Sequence, residues 1–599
     1  MKLSKLLIQN FRKLNDVEII CDNTTFLIGA NNAGKTSTLS ALEYLLTDKK
    51  IDSTCRSQYK DVETGETKTD EREIIIEGEF QDVPLSIINV RGFNKDRLCK
   101  YTKDDGSVGY KFNYRVRFGS DGKPHREMKM YTQKMLSQYE SAKTYQDIIN
   151  AGAPELLFNG LDLSHKISLK DKENMSNTMP ELFEVGSNED WFENPGGIPG
   201  NVLSVLPRFL KVKADVLMEE VQPNKGTLFE ILSTLFEDVR KKSKYYEATK
   251  NALAELQKEM DPNNNESDFG QLMNELNTVV DSVFPSSSIN VTTDLTSADS
   301  LKPQFSVELC SNVETTPEFQ GTGLVRSAVF ALLRFRQQWN ERNRNGEARS
   351  LIIGFEEPEL FLHPNAANSM RDTIYSLSGP NCQIISTTHS PYMIDLSKSD
   401  AQVLNSYCIK ENDFTKIVPF NHSEAFKAIQ EDDKAHVKML QKIDDYVARA
   451  FFAQKVIIVE GDTERIVFKK TIEVMPEEVR KAINDKYQII KAGGKAVIIS
   501  FAKYLRAMNM NIFVVHDEDA NTPGAVKMNT PIWEALDNDS SIRLMMHNCI
   551  EDELCYPIPT SDKPYHAYQN VHCWNSWDDV PNNWKEKMKI VFSEFASEL

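Results

Sequence analysis

Two groups of residues in this 599-residue chain have the types and spacing to handle phosphate. Gly29, Ala30, Asn31, Asn32, Ala33, Gly34, Lys35 and Thr36 fit the spacing GxxxxGK[ST], after a strand-like run and before a helical one. In that context loop and helix-start N–H groups cradle phosphate oxygens, Lys35 reaches the β and γ phosphates, and the Thr36 hydroxyl binds Mg2+. Gly29, Asn32, Gly34, Lys35, Thr36 and Ser37 are thus expected to bind nucleotide. Such a site also needs an acid at the end of a buried strand, and the apolar run 351–355 leads into Glu356, Glu357, Pro358 and Glu359. The second group consists of acids. Glu460 and Glu464 follow the apolar run 456–459, and Asp517 and Asp519 follow 512–515. Two neighbouring parallel strands would deliver these carboxylates to one edge of a sheet, where open α/β folds bind ligands. Mg2+ or Mn2+ prefers oxygen ligands, and two such ions can stabilise the attacking and leaving oxygens of a phosphodiester.

The elements that position these groups follow from hydrophobic periodicity. Up to about residue 130 short apolar runs alternate with turns and predict strands, with one helix after the glycine loop. Between about 130 and 285 the pattern becomes helical, with Leu228, Ile231, Leu232, Leu235, Phe236 and Val239 at spacings of three and four. Strands return from about 286, a helix is expected near 425–450, and a βαβαβ order from 455 implies a parallel sheet with right-handed crossovers. The expected blocks are 1–135 and 285–424 for a split first domain, 136–284 for a helical insertion, 425–450 for a linker helix, 451–560 for a second α/β domain and 561–599 for a C-terminal extension. The fold class is multidomain α/β.

Composition narrows the function. A net charge of −18 excludes coating of DNA by bulk electrostatics, so any DNA contact must be local. No apolar run is long enough to cross a bilayer, and the basic, apolar start lacks a cleavage site and predicts a first strand. Nine scattered cysteines form no framework, which fits a reducing cytoplasm, and Cys549, Cys555, His572 and Cys573 match no common zinc spacing.

The stretch from Glu356 through His363 and Pro364 resembles the Walker B region of ABC-type ATPases of the RecF, SMC and OLD group. That resemblance gives Glu356 a place in the Mg2+ shell, where an aspartate is usual, and makes Glu357 the residue that polarises the attacking water. The extra methylene of Glu356 moves its carboxylate by about 1.5 Å, which implies slow hydrolysis. Glu318 to Gly321 and Gly323 resemble the group's signature loop, which binds nucleotide on an opposite protomer, so a homodimer or higher even oligomer is implied, with the insertion as its dimerisation element. His389 resembles the γ-phosphate-sensing switch histidine, Arg12 a nucleotide-touching residue, and Gln81 a Q-loop residue.

The strand-ending Glu460 paired with Asp517 and Asp519 resembles the Toprim fold. With Glu464, the Lys-Ala-Gly-Gly-Lys stretch at 491–495 and the ATPase upstream, it resembles the OLD family of nucleases. The resemblance implies that Glu460, Glu464, Asp517 and Asp519 bind metal, that Glu551 or Glu553 completes the set, and that a late lysine, such as Lys527, Lys563 or Lys585, stabilises the cleaved phosphate. The Gabija nuclease subunit and retron-associated OLD nucleases are equally similar. The activity implied is that of an ATP-regulated, divalent-metal-dependent DNA endonuclease or nickase of bacterial anti-phage defence. Its partners would be DNA and a helicase-like subunit or a retron reverse transcriptase with its DNA. The alternative is an ATP-switched repair clamp that does not cut. A topoisomerase or primase would need a nearby tyrosine nucleophile or a zinc module.

Overall fold

The computed structural model describes residues 1–193 apart from 61–65, 85–86, 88–92, 94 and 104; residues 201–213 and 243–259; scattered positions between 267 and 332; and residues 349–599 apart from 361, 399–400, 410–413 and 444. Alternating apolar positions build its first half. The elements in chain order are β1 (Lys2–Phe11), β2 (Leu14–Ile20), β3 (Thr24–Gly29), α1 (Lys35–Leu46), β4 (Ile74–Gln81), β5 (Val108–Phe118), β6 (Pro124–Met135), β7 (Phe183–Glu193), β8 (Arg208–Val212), β9 (Leu351–Glu356), α2 (Pro364–Leu377), β10 (Cys382–Thr387), β11 (Gln402–Ile409) and β12 (Thr415–Asn421).

An antiparallel sheet runs in the order β7-β6-β5-β4-β1-β2, with a short strand Cys99–Thr102 on β5. A second sheet runs β8-β9-β10-β3-β11-β12 and is parallel except for β12. Helix α1 lies between them: Leu39, Leu42 and Leu45 share one core with Leu3, Leu6, Ile8, Ile76 and Phe80. The apolar run of β9 and the unbroken burial of β10, whose Gln383, Ser386 and Thr387 are buried with its apolar residues, reflect coverage of both faces.

Two strands fall inside the stretch expected to be a helical insertion, residues 136–284. Strand β7 pairs with β6, and β8 pairs in parallel with β9, Lys211 opposite Gly354. A five-residue strand has too few positions to stand out beside the long three- and four-spaced pattern that follows, so the helical reading overran it. By contact, residues 215–345 form a compact unit of their own, and 1–214 with 346–599 form the other. Within the first of these lies a helix, Lys244–Glu259. The strands expected just after 286, and Glu318, Gly321 and Gly323, lie outside the described residues.

The second half continues with α3 (His422–Ala428), α4 (Glu431–Ile443), β13 (Lys455–Val459), α5 (Asp462–Val474), β14 (Tyr487–Lys491), α6 (Lys495–Ala507), β15 (Ile512–Asp517), β16 (Arg543–Met546), α7 (Ile550–Glu553), α8 (Lys563–Val571) and α9 (Asn582–Val591). Strands β14-β13-β15-β16 form an all-parallel sheet in that order. The linker expected as one helix over 425–450 is instead α3, α4 and a 3-10 stretch Asp445–Phe452. Residues 561–599 are no appendage. Trp584, Met588 and Phe592 sit in one core with Val459, Phe468 and Val515, and the Trp584 indole N–H donates to Thr471 Oγ1 at 2.8 Å.

Helix α6 ties the parallel sheet to the two helices that lead into it. Tyr504 Oη is hydrogen-bonded to His422 Nδ1 at the start of α3, and Asp433 of α4 accepts from Ser500 Oγ at 2.7 Å and Lys503 Nζ at 2.9 Å. Among the described residues no helix is long and apolar enough to cross a membrane.

Candidate functional site

The glycine loop is positioned by β3 and α1. Gly29 has φ +133°, and a Cβ there would lie 2.3 Å from the Tyr407 carbonyl oxygen, so the close approach of β11 demands glycine. Gly34, at φ +100°, precedes α1, whose first turn carries no acid, which leaves its N–H groups for an anion. Lys35 is buried and donates to the carbonyls of Gly29 at 3.0 Å and Ala30 at 2.8 Å. Burial lowers its pKa to about 8, against the pull of Glu357. Asn32, with φ 61°, and Thr36 are exposed, and Ser37 is half-buried. The Thr415 hydroxyl of β12 holds the loop from behind by donating to the Ala33 carbonyl at 2.7 Å.

Two strands away, Glu356 ends β9 and Glu357 follows in a left-handed conformation, φ 44°, its N–H donating to the Thr387 carbonyl at 3.1 Å. Such a conformation is costly for a non-glycine residue and is held by its surroundings. His389 Nε2 lies 3.5 Å from Glu357 Oε1, and burial and Lys35 lower the histidine's pKa. Glu359, for which the sequence suggested no role, accepts from Thr388 Oγ1 at 2.6 Å and from the His389 N–H at 3.1 Å, so it fixes the histidine loop. The structure therefore brings Lys35, Glu357 and His389 together. Arg12 is exposed with its guanidinium over the Phe11 ring, and Gln81 is turned to Glu79.

The acids of the second domain meet at the carboxyl edge of its sheet. Glu460 follows β13, Asp517 ends β15, Asp519 stands two residues on, Glu464 lies in the first turn of α5, and Glu551 lies in α7 after β16. Glu464 Oε2 accepts the Gly461 N–H at 2.8 Å, which caps α5 and aims its carboxylate at the cluster. The N–H groups of Gly493 and Gly494 donate to the Glu460 carbonyl at 2.9 and 3.1 Å, which pins the turn. Burial foremost, then Glu464, Glu460, Asp519 and Glu551, pushes the Asp517 pKa up to about 8. For Glu460, burial with Asp519 and Glu464 outweighs Lys495 and gives about 7. Burial, then Glu551, raises that of Glu464.

Glu551 is fully buried and lies in this cluster, whereas Glu553 accepts the His547 N–H and sits 3.5 Å from Lys587. Of the three lysines considered, Lys563 reaches Glu551 at 3.4 Å, Lys585 lies over the Trp577 ring and Lys527 is exposed. Lys495, within the 491–495 stretch but given no role from sequence, is 4% exposed; its Nζ lies 2.7 Å from Asp519 Oδ2 and 3.0 Å from Asn529 Oδ1. Among the described residues no three His, Cys, Asp or Glu side chains already converge to hold one ion. Yet Glu460 Oε2, Asp517 Oδ1 and Glu551 Oε2 are buried without a hydrogen-bond partner. Unmet buried carboxylate oxygens are costly, and a hard divalent cation is the ligand that suits them. The donor set fits Mg2+ or Mn2+.

Residues 1–394 match the AAA ATPase domain family, and residues 451–519 match the Toprim domain of overcoming lysogenization defect-like proteins. The Old nuclease of Escherichia phage P2 is 22% identical over 532 residues, 87% of this chain and 77% of that protein. The OLD nuclease of Thermus scotoductus is 28% identical over 212 residues, 35% of this chain and 36% of its own length. Endonuclease GajA of Bacillus cereus is 22% identical over 480 residues, 80% of this chain and 69% of its own. Among solved structures, an Smc head bound to the C-winged helix domain of ScpA aligns over 71% of this chain and 100% of that one, at 12% identity and TM-score 0.34. An AAA ATPase domain with a Toprim domain implies nucleotide and divalent metal. The chain belongs to the AAA ATPase domain family and carries an OLD-like Toprim domain behind the ATPase.

Proposed function

We propose that this chain is a divalent-metal-dependent DNA endonuclease or nickase whose cutting is governed by ATP, and that it serves bacterial defence against phage. The observation that carries the reading is the set of five carboxylates at one sheet edge, three of them with buried oxygens that lack a hydrogen-bond partner. The nuclease names of the relatives support it. Glu460, Glu464, Asp517, Asp519 and Glu551 would hold one or two Mg2+ or Mn2+ ions, which supply an activated water and charge stabilisation for phosphodiester hydrolysis. Lys563 stands at the rim beside Glu551, where its ammonium would offer positive charge to the cleaved phosphate. Thr36 and Glu356 would hold the Mg2+ of ATP, with Glu357 as the base and His389 reporting the γ phosphate. A homodimer or higher even oligomer completes the nucleotide site through Gly321 and Gly323. A helicase-like subunit or a retron reverse transcriptase with its DNA is the proposed partner.

The test is plasmid cleavage with Mg2+ or Mn2+ across ATP concentrations. Asp517→Ala should lower cleavage by more than about a hundredfold, beyond the range for losing a partner that merely orients a metal ligand. Lys35→Ala should leave cleavage in place and erase its response to ATP. Cleavage that survives Asp517→Ala sinks the proposal.

A further inference from the structure

Strand β8 carries a lysine into the nucleotide site. In the parallel register Lys211 stands opposite Gly354, two residues before Glu356. The period of two puts Lys211 on the same face as Phe209, whose ring occupies the space left by the missing side chain of Gly354 and lies toward α1. Lys211 Nζ lies 2.8 Å from Glu356 Oε1 and donates to Ser40 Oγ at 3.2 Å. The Ser40 hydroxyl in turn donates to the Thr36 carbonyl at 3.2 Å. One ammonium thus touches one expected Mg2+ residue directly and reaches the backbone of the other through a single hydroxyl. The pair is shielded, with side-chain exposures of 14% for Lys211 and 11% for Glu356, so solvent screens it little.

We propose that Lys211 is a positioning residue of the nucleotide site. It holds the long Glu356 side chain in the place of the usual aspartate and supplies a resident positive charge opposite that acid. The inference rests on the reading of the glycine loop as a nucleotide site. In the absence of Mg2+ an incoming triphosphate meets Glu356 and Glu357, and Lys211 offsets the first of these while Lys35 faces the second. Nucleotide binding should therefore depend less on Mg2+ than the two acids alone would dictate.

The readout is the ratio of Kd for a fluorescent ATP analogue in EDTA to that in Mg2+, measured without any turnover. Lys211→Met should raise this ratio at least tenfold, chiefly by weakening binding in EDTA, whereas Lys211→Arg, which keeps the charge, should hold it within about threefold. Adding Glu356→Gln to Lys211→Met removes the negative charge that the lysine had offset and should return the ratio toward that of the unaltered protein. A lysine that only braced β8 against α1 would weaken binding equally with and without Mg2+, and an unchanged ratio in folded Lys211→Met overturns the proposal. Failure of both Lys211→Met and the double variant to fold also overturns it, since the role is then structural. An unaltered protein that binds no nucleotide in either condition removes the reading of the loop itself.

Discussion

Two carboxyls in the acid cluster keep their protons to unusual pH. Asp517 titrates at about 8 and Glu460 at about 7, both because burial and neighbouring carboxylates penalise their charged forms. From the ordinary carboxylate range, about 4, up to 7 or 8 the folded chain holds protons that the unfolded chain has released. The metal-free protein therefore loses stability as pH rises through that window. A divalent cation binds the deprotonated carboxylates, so it competes with protons below the window and meets no such competition above it. The thermal upshift on adding Mg2+ should accordingly be several degrees larger at pH 8.5 than at pH 6, and apparent Mg2+ affinity should climb over the same interval. Asp517→Asn should flatten the dependence. Equal upshifts at both pH values in scanning fluorimetry would contradict it.

At the scale of elements, α6 is the piece on which the acid cluster and the linker helices converge. Its first residue, Lys495, grips Asp519, and its later turns meet α3 and α4 through Tyr504, Ser500 and Lys503. His422 is fully buried, its pKa pushed down to about 3 by burial, so the neutral ring depends on the Tyr504 hydroxyl, and its Nε2 has no partner. Tyr504→Phe leaves both ring nitrogens unmet in the interior and should cost about 1–3 kcal/mol. Urea unfolding measures it, and Tyr504→Phe combined with His422→Phe should cost less than the sum of the two single changes. No part of this joint is visible in sequence, because His422 and Tyr504 stand 82 residues apart and only packing pairs them. The parallel sheet beneath it was legible, since strands buried on both faces read as unbroken apolar runs at 456–459 and 512–515. The glycine loop and the strand-ending acids were legible for the same reason: their spacing is local. Lys211, Glu359 and Lys495 escaped because each acquires its neighbour through strand register or helix docking. The five-residue β8 that carries Lys211 was submerged in a helical pattern.

At the scale of the whole molecule, a net charge of −18 repels DNA at long range, and five of the acids behind it are gathered where a phosphodiester would have to lie. Binding should therefore be conditional on cation. Ca2+ takes the same oxygen ligands as Mg2+ with looser geometry, which suits a binding measurement in which cutting is to be held back. At matched ionic strength the affinity for duplex DNA, followed by fluorescence anisotropy, should rise at least tenfold from EDTA to Ca2+, and Asp517→Ala should abolish most of that rise. A footprint confined to a few phosphates also fixes the salt response. An interface that neutralises six to ten phosphates loses about 10^3–10^5 in affinity between 50 and 200 mM salt, so a local one should lose less than about a hundredfold. Tight binding in EDTA with a steep salt slope would place the DNA on a broad basic surface, and the acid cluster would then no longer decide where the strand is held.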